Sequence, residues 1–360
     1  MPASPQFSPS RYREIDVSGT PRELGRQIGE AAGEEVRGFC SVALERVNLS
    51  CRISRERAIE VARRSQAYAE QYSPDLVEEL AGTAEAARVS LDDLMLLQVR
   101  NQLRSEEQGA CTSIAVAGTG PREQTGTLLL GQNWDADPAL DPFTIVLTRR
   151  PADKPAFQCV TQAGLIAYIG YSEAGMGVCL NTLPAPSRVE GVPHYFTVRR
   201  ILESRSLQEA VAAVTHAERA IPANIMLASP EGPADLEITL ESVEVLYPQP
   251  GGLLTHTNHC EHQKLRQINE QFPELIQSHS RKARADSLLA GATALDRQAM
   301  ELALADHQDQ PRSICRHTSE DADTGFWQTV FSIIMEPAAG CMHVTRGTPC
   351  DHPRETYRLN

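Results

Sequence analysis

Cys111 opens an apolar alternation, Ile114-Ala115-Val116-Ala117, directly after a polar stretch, Ser105-Glu106-Glu107-Gln108-Gly109-Ala110. A turn rich in Gly, Pro and Thr runs to Gly126. A second strand pattern follows, from Thr127 through Leu128, Leu129 and Leu130 to Gln132-Asn133-Trp134-Asp135. A thiol reacts as its thiolate, and an ordinary cysteine with a pKa near 8.5 is mostly protonated at neutral pH. An α-amino group titrates near 7.7–8.0, so it can act as a general base at working pH. Breaking the Ala110–Cys111 peptide bond would place such an amine on the same residue as the thiol. Cys111 could then attack an amide or thioester carbonyl and carry the acyl group. Asp135, at the end of the paired strand, could hold and orient the new ammonium.

Two further segments carry reactive groups. Thr255-His256-Thr257-Asn258-His259-Cys260-Glu261-His262 crowds three imidazoles and a thiol together, but the spacing fits no common zinc pattern. Its other reading is that Asn258 donates its side-chain amide to an oxyanion at a strand end, a contribution of roughly 3–4 kcal/mol when preorganised. In Arg312-Ser313-Ile314-Cys315-Arg316-His317, a short strand over Ser-Ile-Cys is expected, with Arg316 neutralising Asp135 or binding an acidic substrate group. Two alternatives need no self-cleavage. One is a Cys–His hydrolase of the papain type, pairing Cys111 with His256 or His259. The other is a non-catalytic binding protein.

The elements that must position these groups change character near residue 110. Thr20-Pro21-Arg22-Glu23 has the capping Thr, the first-turn Pro and the Glu of a helix start, followed by Leu24, Ile28, Ala31 and Ala32 at helical spacing. Residues 55–71, 75–88 and 90–99 also read as helices, and the only strand pattern before residue 100 is 12–17. After Cys111, strands are expected at 144–148, 157–161, 166–171, 176–180, 224–228, 235–240, 243–247, 252–256, 330–335 and 342–345. Helices are expected at 196–203, 207–217, 280–289 and 296–305. Blocks of strands, then helices, then strands indicate antiparallel sheets covered by helices rather than a doubly wound α/β fold. Residues 103–109 read as an exposed linker. Tyr168, Tyr171 and Phe196 are candidates for an acyl pocket.

Composition bounds the partners. The 360 residues are 41% hydrophobic and 22% charged, as in a globular protein. A net charge of −13 argues against nucleic acid and anionic membranes. No export signal and no apolar run of membrane-spanning length is present in the sequence, so a cytoplasmic setting is expected. The nine scattered cysteines lack C-x-x-C pairs and read as reduced thiols.

Together these segments resemble the acyl-coenzyme A:6-aminopenicillanic acid acyltransferase family of N-terminal nucleophile hydrolases. Ala110-Cys111-Thr112 is similar to that family's Gly-Cys-Thr cleavage site. Gly131-Gln132-Asn133-Trp134-Asp135, His256-Thr257-Asn258-His259-Cys260 and Ser313-Ile314-Cys315-Arg316 match its ordered motifs. The stretch 170–183, with Gly175, Val178 and Asn181, and Gly191-Val192-Pro193 also match in pattern. The resemblance implies an α+β fold, a four-layer αββα sandwich. It also implies autocatalytic cleavage into a mainly helical pro-segment, 1–110, and a catalytic piece, 111–360, that stay associated. It makes Cys111 the nucleophile and, through its amine, the base. Asp135 orients the amine, Asn258 and the backbone N–H of Asn181 form the oxyanion hole, and Arg316 is a charge partner. No cofactor is required, and the substrate is an N-acyl amide or an acyl-CoA. Ala110 stands where the family has Gly, and its methyl group restricts the backbone needed for an N-to-S acyl shift, so slower processing is expected.

Overall fold

The computed structural model describes residues 10–49, 51–103, 110–117, 128–272, 277–320 and 325–360. The expected linker falls, from residue 104 on, outside the described residues. The N-terminal part begins with strand β1 (Glu14–Gly19) and continues as helices α1 (Pro21–Ala31), α2 (Gly33–Val47), α3 (Arg55–Tyr72), α4 (Pro74–Ala87) and α5 (Leu91–Val99). The start of α1 follows its sequence signal: the Glu23 carboxylate accepts the Thr20 N–H at 2.8 Å. Helix α2 was not marked by the sequence pattern; Ala32 and Gly33 at its start offer no capping side chain. Helices α1 and α4 cross closely at Gly25, where a Cβ would come within 1.9 Å of the Glu79 carbonyl oxygen.

The remaining chain builds two sheets. One contains β1 and strands β4 (Thr144–Pro151), β5 (Phe157–Gln162), β6 (Ile169–Ser172), β7 (Gly177–Asn181), β8 (Ala223–Ser229), β9 (Gly232–Ile238) and β10 (Val243–Leu246), in that spatial order. Only the β1–β4 pair is parallel; the other pairs are antiparallel, as the hairpin-rich sequence implies. The second sheet runs β11 (Leu253–His256), β2 (Ala110–Ala117), β3 (Leu128–Ala136), β12 (Gln328–Glu336), β13 (Cys341–Arg346) and β14 (Arg354–Arg358). The strand at β14 was not anticipated, because Arg354-Glu355-Thr356-Tyr357-Arg358 is mostly polar and only Tyr357 is fully buried.

The layers follow from contacts between elements. β2 and β3 face β7 and β8 across the sandwich. Helices α8 (Ser278–Ala290) and α9 (Arg297–Leu304) cover the outer face of the β2–β3 sheet. Helices α1 and α2, with α6 (His194–Leu202) and α7 (Leu207–Thr215), cover the other sheet. The fold is therefore α+β, with helix, sheet, sheet and helix layers.

Strand alternation decides where each side chain goes. On β2, Cys111 and Ala115 join the core between the sheets, whereas Ile114 and Val116 join a second core beneath α8 and α9. The N-terminal part is welded to the rest by buried charge. Glu79 on α4 bonds Arg149 on β4 at 2.8 Å and Arg199 on α6 at 2.9 Å, and Arg199 continues to Glu203 at 2.6 Å. All four side chains are almost fully buried. Arg199 is held above its ordinary pKa by Glu79 and Glu203, against burial.

Candidate active site

The β2–β3 register sets the centre of the site. Cys111 lies opposite Trp134, and Ala110 lies opposite Asp135. Cross-strand partners share a face. Cys111 and Trp134 therefore point between the sheets, and Asp135 lies with Ala110 on the helix-covered face. On the other side of β2, β11 pairs Leu253 with Val116 and His256 with Ser113. Two residues beyond His256, the chain brings Asn258 level with Cys111.

Asn258 turns its amide both ways. Its Oδ1 accepts the Cys111 backbone N–H at 3.0 Å, and its Nδ2 donates to the carbonyl oxygen and hydroxyl of Thr182, each at 3.0 Å. Arg281, on the buried face of α8, fixes this arrangement. Its guanidinium donates to the Cys111 carbonyl at 2.7 Å, to Thr112 Oγ1 at 2.8 Å and to Asn258 Oδ1 at 2.7 Å. Sequence reasoning missed Arg281. Nothing local separates one arginine from the others in a helix, and only packing reveals that it is 2% exposed.

Asp135 is buried beside two cations. Its Oδ1 accepts the Thr329 hydroxyl at 2.7 Å, and its Oδ2, which has no hydrogen-bond donor among the described residues, lies 3.9 Å from Arg316 Nε. Thr329 also bonds the main chain of Arg316 in both directions at 3.0 Å, docking that residue on β12. The Ser313–Cys315 stretch is not a strand, contrary to expectation; it is a bent segment held by contacts such as Ser313 Oγ to the Cys315 carbonyl. Burial pushes the Asp135 carboxyl up to about 6 against the pull of Arg316, Arg281 and Thr329. Burial and the Asp135 charge push the Cys111 thiol up to about 12.

The Asp135 shift gives a signed prediction. The folded chain holds this proton more tightly than the unfolded chain, so ionisation weakens the fold as pH rises from about 4 to about 6 and the loss levels off above that. In an uncleaved Cys111→Ala background, denaturant titrations should show stability falling over that interval relative to Cys111→Ala/Asp135→Asn, by up to about 3 kcal/mol. Parallel curves for the two variants would contradict the burial penalty.

Asn181 sits at the end of β7 on the facing sheet. Its Oδ1 accepts Ser113 Oγ at 2.9 Å and Gln132 Nε2 at 2.8 Å, and its Nδ2 donates to Asn224 at 2.8 Å. Asn224 in turn donates to both oxygens of Asp235. Gln132 also exchanges hydrogen bonds with the Leu180 main chain. The side chain of Asn181 is thus used to tie the two sheets together.

The histidines of the 255–262 segment do not pair with Cys111. His256 bonds Glu237 at 2.8 Å and the Thr257 carbonyl at 3.0 Å; His259 bonds Ser278 at 2.7 Å and Glu261 at 2.7 Å. The Cys–His dyad is therefore not formed by either ring, and these imidazoles with Cys260 and His262 form no common ligand cage.

Cys111, Asp135, Asn181 and Thr182 open on one cleft. Its apolar wall is aromatic: Trp134 meets Tyr168 edge-on with centroids 5.7 Å apart and stacks on Phe331 at 5.1 Å. Tyr168 lines the cleft as expected, whereas Tyr171 and Phe196 are core residues. Arg100, just beyond α5, also lines the cleft, is 4% exposed and bonds the Tyr195 hydroxyl at 2.9 Å. No carboxylate pairs with it among the described residues. His194 lines the same cleft, and burial together with the Arg100 charge lowers its pKa to about 3, so it is neutral.

This geometry, with a strand-start cysteine between two sheets, is accompanied by a match over residues 122–351 to the sequence model of acyl-coenzyme A:6-aminopenicillanic acid acyl-transferase. The chain belongs to that family, one of acyl-transferring enzymes. It is 27% identical over 350 residues to the 40 kDa form of acyl-coenzyme A:6-aminopenicillanic-acid-acyltransferase from Emericella nidulans, covering 95% of this chain and 94% of that one. Among solved structures it is similar to a variant of conjugated bile acid hydrolase from Clostridium perfringens, at 13% identity and TM-score 0.44, over 69% of this chain and 97% of the other. Penicillin V acylase from Agrobacterium tumefaciens is also similar, at 9% identity and TM-score 0.44, over 69% and 86%. No helix among the described residues is long and apolar enough to cross a membrane.

Proposed function

We propose that this chain cuts its own Ala110–Cys111 bond and then hydrolyses or transfers the acyl group of an N-acyl amide through an S-acyl enzyme on Cys111. The supporting observation is the setting of the Cys111 nitrogen. It bonds Asn258 Oδ1, and the buried Asp135, whose Oδ2 has no donor among the described residues, lies opposite the preceding residue, Ala110. Neither His256 nor His259 bonds the thiol. A thiol raised to about 12 needs a base, and the α-amine is the one the residue itself can supply.

In the first stage Cys111 Sγ attacks the Ala110 carbonyl carbon, the C–N bond breaks, and the thiol proton passes to the departing nitrogen. Water then hydrolyses the thioester, leaving an Ala110 carboxylate and a free Cys111 amine and thiol. In each later turnover the amine takes the thiol proton and the thiolate adds to the substrate carbonyl. Asn258 Nδ2 and the Asn181 N–H stabilise the oxyanion. The ammonium, oriented by Asp135, protonates the leaving amine. Water resolves the S-acyl enzyme to an acid, and an acceptor amine resolves it to a new amide; hydrolysis is the favoured route. Arg316 balances the Asp135 charge.

The two pieces stay together after cleavage on this reading. The N-terminal piece supplies β1, Glu79, which pairs with the buried Arg149 and Arg199 of the larger piece, and Arg100 in the cleft. A buried guanidinium with no carboxylate partner among the described residues favours a substrate with an anionic group, a carboxylate or phosphate. Arg100→Met should lower kcat/KM for a carboxylate-bearing N-acyl amide by about 100-fold, mostly through KM, and change the neutral methyl ester far less. Equal losses on acid and ester would remove the anion-binding role. The function is tested by intact-mass measurement and N-terminal sequencing of the purified protein. Two fragments, the larger beginning Cys111-Thr112-Ser113, support it; an active, uncleaved chain overturns it.

A further inference from the structure

We propose that His307, Cys315, His317 and Cys350 bind one zinc ion in a tetrahedral structural site outside the catalytic cleft. The residues come from three separate places: the turn after α9, the bent segment carrying Arg316, and the turn between β13 and β14. One ligand atom from each lies within 4.8 Å of all the others. His317 Nε2 is 3.0 Å from His307 Nε2, 3.7 Å from Cys315 Sγ and 3.4 Å from Cys350 Sγ. With Zn–N about 2.0–2.1 Å and Zn–S about 2.3 Å, the edges of a tetrahedron are about 3.3–3.8 Å. The two N–S separations fall within that range and the N–N separation is slightly shorter.

Hydrogen bonding does not account for this convergence. A neutral imidazole nitrogen is a donor or an acceptor, one bond at a time, yet His317 Nε2 faces three neighbours. Two imidazoles directed nitrogen to nitrogen satisfy one another only as a donor–acceptor pair of opposite tautomers. A dication satisfies all four groups at once. Two thiols release their protons to solvent, and two thiolates neutralise the ion, so the closed site carries no net charge. The Cys2His2 donor set favours zinc over calcium or magnesium, which prefer oxygen. Cys350 is exposed, so an ion has access, while Cys315 is buried and anchors the site to the fold.

Zinc there would serve the neighbouring residue. Arg316 stands between two of the ligands, and its side chain reaches Asp135. Fixing Cys315 and His317 on a metal holds that segment against β12, where Thr329 bonds the Arg316 main chain. The spacing, seven residues between His307 and Cys315 and thirty-two between His317 and Cys350, matches no local zinc signature. Only the fold brings the ligands together.

The test uses the full chain purified under reducing conditions. Zinc is measured by elemental analysis after dialysis against metal-free buffer, and cobalt(II) is then substituted for it. About one metal per chain, with the absorption of thiolate-ligated tetrahedral cobalt, supports the site. Cys350→Ser, an exposed turn position, should weaken zinc binding more than tenfold in competition with a chromophoric chelator, and Cys40→Ser should leave it unchanged. A chain that holds no zinc and gives cobalt no thiolate absorption overturns the proposal. So does a Cys315–Cys350 disulfide found by peptide mapping of the unreduced protein. Because all four ligands lie beyond residue 111, the outcome is independent of whether the chain cleaves itself.

Discussion

Replacing Cys111 by alanine leaves a single uncut chain of 360 residues with amide-cleaving activity reduced by at least about 10⁴-fold. On the proposed mechanism the change removes nucleophile and self-cleavage together, because the same sulfur would attack the Ala110 carbonyl in the first stage and the substrate carbonyl in the second. It removes little else. Cys111 is 4% exposed in a wall that includes Trp134 and Tyr168, and trading a thiol for a methyl there costs about 1 kcal/mol in packing. The fold should therefore survive, and circular dichroism with a thermal melt checks that it does. Cys111→Ser is the informative companion. Its hydroxyl is far less acidic than a thiol, so slow cleavage over hours with much weaker turnover is expected. An alanine variant that is uncut but active would show that the acyl group is carried elsewhere.

Arg281→Ala should reduce kcat by about 10²–10³-fold with a small change in KM. Arg281 is a positioning residue: its contacts are the Cys111 carbonyl, the Thr112 hydroxyl and Asn258 Oδ1. Charge-assisted hydrogen bonds contribute about 1.5–3 kcal/mol each, and losing the one to Asn258 frees its amide to rotate. On the proposed mechanism a rotated amide would present its NH2 to the Cys111 amine and its oxygen to the oxyanion, reversing both interactions. Arg281→Lys keeps the charge and loses the fork, so it should recover only part of the loss. A general loss of fold would also lower apparent kcat at unchanged KM, so kcat is taken per folded, thiol-titrated site, and a changed pH profile separates the positioning role from a smaller amount of active enzyme. A variant retaining more than half of wild-type kcat would show that Asn258 holds its orientation without the guanidinium.

Asp135 and Arg316 show how one local feature can be legible while its surroundings are not. The strand Leu128–Ala136 and its Asp135 end are legible as a short run opening on three leucines after a Gly/Pro/Thr turn, the pattern of a strand buried on both faces. Arg316 was readable as a candidate partner for Asp135, and the two lie 3.9 Å apart in the fold. The strand expected before Arg316 did not form. Ser313 bonds the Cys315 carbonyl, and the Arg316 main chain is taken up by Thr329, a contact between residues far apart in sequence that no local pattern encodes.

By itself the sequence determined the helical character of most of the first hundred residues, the antiparallel strand blocks after Cys111 and the family motifs around Cys111, Asp135, Asn258 and Arg316. Those signals are local: periodicity, caps and short ordered strings. Tertiary structure alone decided that β1 from the N-terminal part would become an edge strand beside β4. It decided that Asn258 would offer its oxygen to Cys111 and its nitrogen to Thr182, that Arg281 would bond both Cys111 and Asn258, and that Arg100 would line the cleft. It also gathered His307, Cys315, His317 and Cys350 from three separate segments. In each case the reason is the same. Burial and hydrogen-bond satisfaction act between residues distant in the chain, and a local pattern specifies which face a side chain takes but not what it will meet there.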